Sequence, residues 1–105
     1  MFIKYDELEL LELFLSDPVS IADNPDAGEL IYSIKDTKGF KLVLLVDVYK
    51  MECDLSLTYD ERIVFNSKLT NVTQLKKVNN NMIIYIKDEE KIKVKFGDQL
   101  GIILL

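Results

Sequence analysis

The sequence predicts a mostly β domain of the α+β class: a curved, largely antiparallel sheet, small sandwich or partial barrel of about six to eight strands with one N-terminal helix. Three observations predict it. Phe40 to Tyr59 (FKLVLLVDVYKMECDLSLTY) alternates with period 2 and contains no Gly, Pro or Asn. Downstream, apolar runs are separated by polar segments too short for the crossover that parallel strands require. Upstream, Asp6 to Ser16 spaces its leucines as a helix would.

Taken in order, Met1 to Tyr5 is a short apolar strand or ordered lead-in. Asp6 with Glu9 has capping-box spacing, Leu8, Leu11 and Leu15 form one helical stripe, and Leu10 and Phe14 form another. These features predict a helix over Asp6–Ser16, closed by Pro18. The rival reading is a bulged strand, since Glu7 to Leu10 and Leu11 to Leu13 also alternate. Asp17 to Gly28 holds both prolines and reads as the longest loop. Glu29–Lys35 is a strand, and Asp36 to Gly39 turns it into Phe40–Tyr59, read as one long organising strand. Its odd positions are apolar except for Asp47, and its even positions turn polar from Lys50, so it should start between two layers and end with one face in water. Asp60-Glu61 leads to a strand at Arg62–Asn66, and a weaker one spans Leu69–Val78. Asn79 to Asn81 suits a turn. Met82–Lys87 and Lys91–Phe96 are strands joined by Asp88 to Glu90, and Leu100–Leu105 closes the chain with a last strand.

A chain of 105 residues, 49% hydrophobic and 30% charged, is expected to be a single domain (1–105) with a real core. No run approaches the ~20 apolar residues of a membrane span, and the first residues lack a secretory layout, so a cytoplasmic protein without membrane contact is expected. Cys53 has no second cysteine to pair with. Net charge is −5, unevenly placed: residues 1–61 carry fourteen acids and five lysines, and residues 62–105 four acids and eight bases. The acidic first half repels phosphate and favours a basic protein partner over nucleic acid.

The chemistry-bearing residue types point away from catalysis. With no histidine, Ser-His-Asp and Cys-His arrangements are excluded, and zinc loses its commonest ligand. Cys53 falls on an apolar strand face, where a thiol is usually inert. Glu52 and Asp54 stand about 7 Å apart along one strand face, and the shallow surface of so small a domain offers such a pair no cleft. In the Asp23 to Glu29 loop, Pro25 and Ala27 occupy positions where an EF-hand needs oxygen ligands, which leaves only a weak, non-standard calcium site open in residues 17–28. No nucleotide-binding glycine motif occurs, and no cofactor is implied. Asn71-Val72-Thr73 fits a glycosylation sequon that a chain without a secretory signal would not use. Lys87, Lys91, Lys93 and Lys95 near Tyr85 lack the aromatic platforms of a nucleic-acid binder and read as edge protection.

Recognition through a surface remains. The order helix, acidic loop, GELIYSIKDTKGFKLVLLVDVYKMECDLSLTY, then LTNVTQLKKV and MIIYIKDEEKIKVKF resembles small β-rich immunity-type proteins of Gram-positive bacteria. That resemblance implies a non-catalytic, antitoxin-like inhibitor, and the acidic face suits a basic protein as its target. Contact residues are expected among Glu7, Glu9, Glu12, Asp23, Asp26, Glu52 and Asp54, whose carboxylates would steer encounter and mimic phosphate. The alternative is a structural or assembly subunit of phage or prophage accessory type, a homo-oligomer joined through sheet edges, with Gly101–Leu105 paired to a neighbour. An enzyme built from carboxylates, tyrosines and lysines ranks last, with no substrate class implied.

Overall fold

The computed structural model describes residues 1–21 and 27–105. Its elements are α1 (Glu7–Phe14), β1 (Val19–Ser20), β2 (Glu29–Lys35), β3 (Phe40–Asp47), β4 (Glu52–Tyr59), β5 (Arg62–Leu69), β6 (Val72–Val78), β7 (Asn81–Ile86), β8 (Glu89–Lys95) and β9 (Gly101–Leu104). β1 to β5 form one antiparallel meander, which we call sheet 1, and β6 to β9 form a second, sheet 2. The expected class holds: two antiparallel sheets and one helix, not closed into a barrel. Nine strands among the described residues exceed the expected number. Phe40–Tyr59 folds as two strands, and Val19–Ser20 adds a short one at the edge.

The break in Phe40–Tyr59 corrects the single-strand reading and has a visible cause. Asp47 and Glu52 face each other across a hairpin whose connection is Val48 to Met51. The Asp47 carboxylate accepts the Lys50 N–H at 3.1 Å, and Met51 takes a left-handed φ of 57°. A connection of this length pairs even residues with odd ones, so the buried face is Leu42, Leu44 and Val46 on β3 but Cys53, Leu55 and Leu57 on β4. Period 2 survives the turn while its meaning inverts.

Asp6 caps α1, accepting N–H bonds from Leu8 (2.8 Å) and Glu9 (3.1 Å), which settles the choice for helix over bulged strand. The helix ends earlier than expected, at Leu15, whose left-handed backbone (φ 59°) still donates its N–H to the Leu11 carbonyl. Its buried face is Leu10, Leu13 and Phe14. The Phe14 ring lies 5.1 Å from that of Tyr32 on β2 and meets Phe96, just past β8, edge-on at 5.0 Å. One helical residue therefore joins the two sheets, and burying a side chain of that size contributes about 1.5–3 kcal/mol.

Residues of both sheets and the helix share one core, with Leu42, Leu44, Leu55, Met82, Ile84 and Val94 fully buried. Thr70 and Asn71 link the sheets, dividing the segment expected as one strand over Leu69–Val78. Met1 to Tyr5 is a lead-in rather than a full strand. Lys4 makes an isolated parallel bridge to Gln74, and Ile3 donates its N–H to the Val48 carbonyl of sheet 1. The lead-in so covers the β6 edge. Asp36 fastens the far turns: its carboxylate accepts from Lys38 and Phe40 (both 2.9 Å) and, with the other oxygen, from Leu100 (3.0 Å) in the β8–β9 link. At the β5 edge, Leu57 faces Phe65 and Thr58 faces Ile63, so Val64 is bulged out of the ladder. Gly101–Leu104 pairs with β8, finishing the chain's own sheet.

Candidate functional site

The register of sheet 1 assembles a surface that no single stretch of sequence displays. On its outer face Glu29 lies opposite Asp47, and Asp47 lies opposite Glu52, three carboxylates in a row across β2, β3 and β4. The next row holds Ile31, Leu45, Asp54 and Lys68. A cleft of about 290 Å³ runs between these rows, with Ile21, Leu45 and Lys50 also in its walls. Among the described residues none of the four carboxylates is in a salt bridge. Like charges directly opposite on a sheet are destabilising, so this row is retained at a cost to the fold. Asp47 has a second role in capping the hairpin turn, whereas among the described residues the side chains of Glu29, Glu52 and Asp54 make no hydrogen bond or salt bridge. The arrangement can receive a cation, and the apolar strip of Ile31 and Leu45 beside it can receive an aliphatic stem.

The seven acids expected at the contact surface separate. Glu52 and Asp54 belong to the outer face of sheet 1. Glu9 and Glu12 serve the fold: a Glu9 carboxylate oxygen accepts the Lys77 backbone N–H at 3.1 Å, and Glu12 pairs with the Lys77 ammonium at 3.4 Å, holding α1 to β6. Glu9 thus makes a tertiary contact instead of completing the capping box. Glu7 is exposed near the start of α1. Asp23 and Asp26, with most of the loop considered for calcium, lie outside the described residues. Glu29 and Asp47 were missed, although the break in the apolar line at Asp47 was the signal that could have found them.

Sheet 2 carries the opposite charge. Lys76, Ile83, Lys93 and Ile103 form one row on its outer face. Tyr85, the aromatic residue read beside these lysines, donates its hydroxyl to Glu90 at 3.2 Å. Cys53 is buried on the inner face of β4, and burial, helped by the Asp47 charge, pushes its pKa up to about 12, so it stays a thiol.

No protein-family model and no curated protein sequence matches the chain. The fold does have a solved counterpart. A chain of the contact-dependent growth inhibition toxin–immunity protein complex from Klebsiella pneumoniae 342 superposes with a TM-score of 0.79, covering 98% of this chain and 96% of that one, at 22% sequence identity. At that identity the likeness is one of fold, and it gives no support to the Gram-positive source implied by the sequence resemblance. The complete β-sandwich with its helix is therefore a scaffold also found in a toxin–immunity assembly.

Proposed function

We propose that this protein is a non-catalytic, immunity-type inhibitor that binds a basic protein partner through the outer face of sheet 1. The observation that carries the reading is the end-to-end likeness to a chain of a toxin–immunity complex. Of the two roles in such a complex, inhibition suits this chain better, because it has no histidine and its one thiol is buried and protonated. The row of Glu29, Asp47 and Glu52 with Asp54 supplies the means. Its charges repel one another in the free protein, and Lys or Arg side chains from a partner would relieve that repulsion. An enzyme that acts on a polyanion presents such cations in its substrate groove, and the row would occupy it. A cytoplasmic, bacterial setting belongs to the same proposal.

The test is affinity capture of the tagged protein from its host lysate at low salt, repeated at high salt, with Glu52→Lys/Asp54→Lys as control. Support is one basic protein recovered in equal stoichiometry, whose activity the chain blocks, and which is lost with the variant and at high salt. Recovery of the chain alone, indifferent to salt, overturns it in favour of the assembly reading. The specific observation behind that alternative is apolar exposure at two sheet edges, Ile63 and Val64 on β5 and Ile103, Leu104 and Leu105 at β9.

A further inference from the structure

A second surface lies between α1 and β2. The helix buries Leu10, Leu13 and Phe14 but leaves Leu8 64% and Leu11 38% exposed. Scattered exposed leucines are ordinary, whereas these two share a cleft of about 530 Å³ with Tyr5, Pro18, Leu30 and Tyr32. Among the described residues, the charged ones in its walls are Glu7 and Asp17, and neither is in a salt bridge. From Asp6 to Asp17 the sequence carries no lysine or arginine. Burial first, then Tyr5, Glu7 and Asp17, push Tyr32 up to about 12, and burial and Glu7 also raise Tyr5. Both hydroxyls therefore remain protonated and able to donate. Among the described residues, none lines both this cleft and the one on the outer face of sheet 1.

We propose that the α1–β2 cleft is a docking site for a basic, apolar segment of a protein partner, in which leucine-type side chains enter between Leu8, Leu11 and Leu30 while flanking Lys or Arg meet Glu7 and Asp17. The inference rests on the reading above in taking the partner to be a basic protein, and it adds a second area of contact. Charge complementarity selects this occupant. An anionic membrane is repelled by the same carboxylates. A second copy of the chain would bring lysines of sheet 2 with the exposed Ile103 and Leu104 of β9, and it is one of the outcomes the test separates.

The test uses the full-length, isotope-labelled protein and a short synthetic peptide repeating Lys-Leu-Ser, with its glutamate-for-lysine twin, followed by amide chemical shifts. The expected result is shifts confined to Tyr5, Leu8, Leu11, Tyr32 and their neighbours, no binding of the twin, and about tenfold weaker binding for Leu8→Asp and for Glu7→Lys. Both positions are exposed, and thermal melts verify that the variants fold. Shifts confined to Glu29, Asp47, Glu52 and Asp54, equal binding of the twin, or no shifts at all would overturn the proposal. So would shifts in the cleft that grow with protein concentration without peptide, which identify a second copy. Because the peptide replaces the toxin, this test can fail while capture through sheet 1 succeeds, and the reverse.

Discussion

Replacing Glu52 by Gln should make the protein more stable and a poorer binder at once. Glu52 faces Asp47 across β3 and β4 and has Asp54 two residues along the same strand. Taking about 5 Å for the first separation and about 7 Å for the second, Coulomb repulsion in water screened at physiological salt is about 0.7 kcal/mol. Lys68, diagonal to Glu52 through its pairing with Asp54, returns about 0.25 kcal/mol of attraction at a similar distance. Removing the charge should therefore stabilise the fold by about 0.4–0.5 kcal/mol, a rise of about 2–4 °C in Tm for a domain of this size. Thermal melts followed by circular dichroism at low, physiological and 1 M salt would measure it. The gain should grow at low salt and vanish at 1 M, where the screening length falls to about 3 Å. Lys68→Gln should shift Tm the other way. A destabilised E52Q, or a gain that persists in 1 M salt, would refute the electrostatic reasoning. Once a partner is in hand, E52Q should also slow association at low salt.

The other predictions concern the frame that presents this face. Leu44 and Leu55 oppose each other at zero exposure, and either changed to Ala should cost about 2–5 kcal/mol in urea melts, with less than about 1 kcal/mol contradicting their place in the core. Asp36→Ala removes the acceptor from three backbone N–H groups and should cost about 2–3 kcal/mol. Desolvation acts to raise the Asp36 pKa, but backbone N–H donors, led by Leu100, Phe40 and Lys38, outweigh it, so the folded value lies below the ordinary 3.8. Its contribution is then present above the ordinary carboxylate pKa and lost as pH falls through the lowered folded one. Melts of wild type and Asp36→Ala should accordingly converge in acid and separate at neutral pH. Cys53 should resist iodoacetamide in the native protein and react on unfolding, so rapid native labelling would contradict its burial.

The sequence made the class of fold plain because the burial pattern of most strands is local. The helix was legible from Asp6 and the leucine spacing, although its length was overestimated: Leu15 turns left-handed before Pro18 is reached. The end of β5 at Leu69 and all of β6 merged into one segment on reading because Thr70 and Asn71 interrupt the pattern for too short a distance. Phe40–Tyr59 failed as one strand for a subtler reason. Both parities are apolar over its first half, so alternation could not reveal that the buried set passes from even to odd residues. The candidate site was only half legible for the same reason. Glu52 and Asp54 are visible as neighbours in sequence, but their grouping with Glu29 and Asp47 exists only once three strands are in register. Glu9 and Glu12 looked equally available, and their engagement with Lys77 depends on a contact far along the chain.

The two-meander layout carries a kinetic consequence. Apart from β1 with β2, each strand pairing closes over a connection of a few residues, so the entropy lost before the pairing is rewarded is small. Each sheet can assemble as hairpins added one to the next. Distant segments are needed only at the end, when Lys4 reaches Thr73 and Leu75 and Phe14 settles against Tyr32 and Phe96. Such a chain should reach its native state faster than a sandwich whose strands cross between layers. On the reading proposed above, an inhibitor that must be ready before its target acts would gain as much from speed of maturation as from strength of grip.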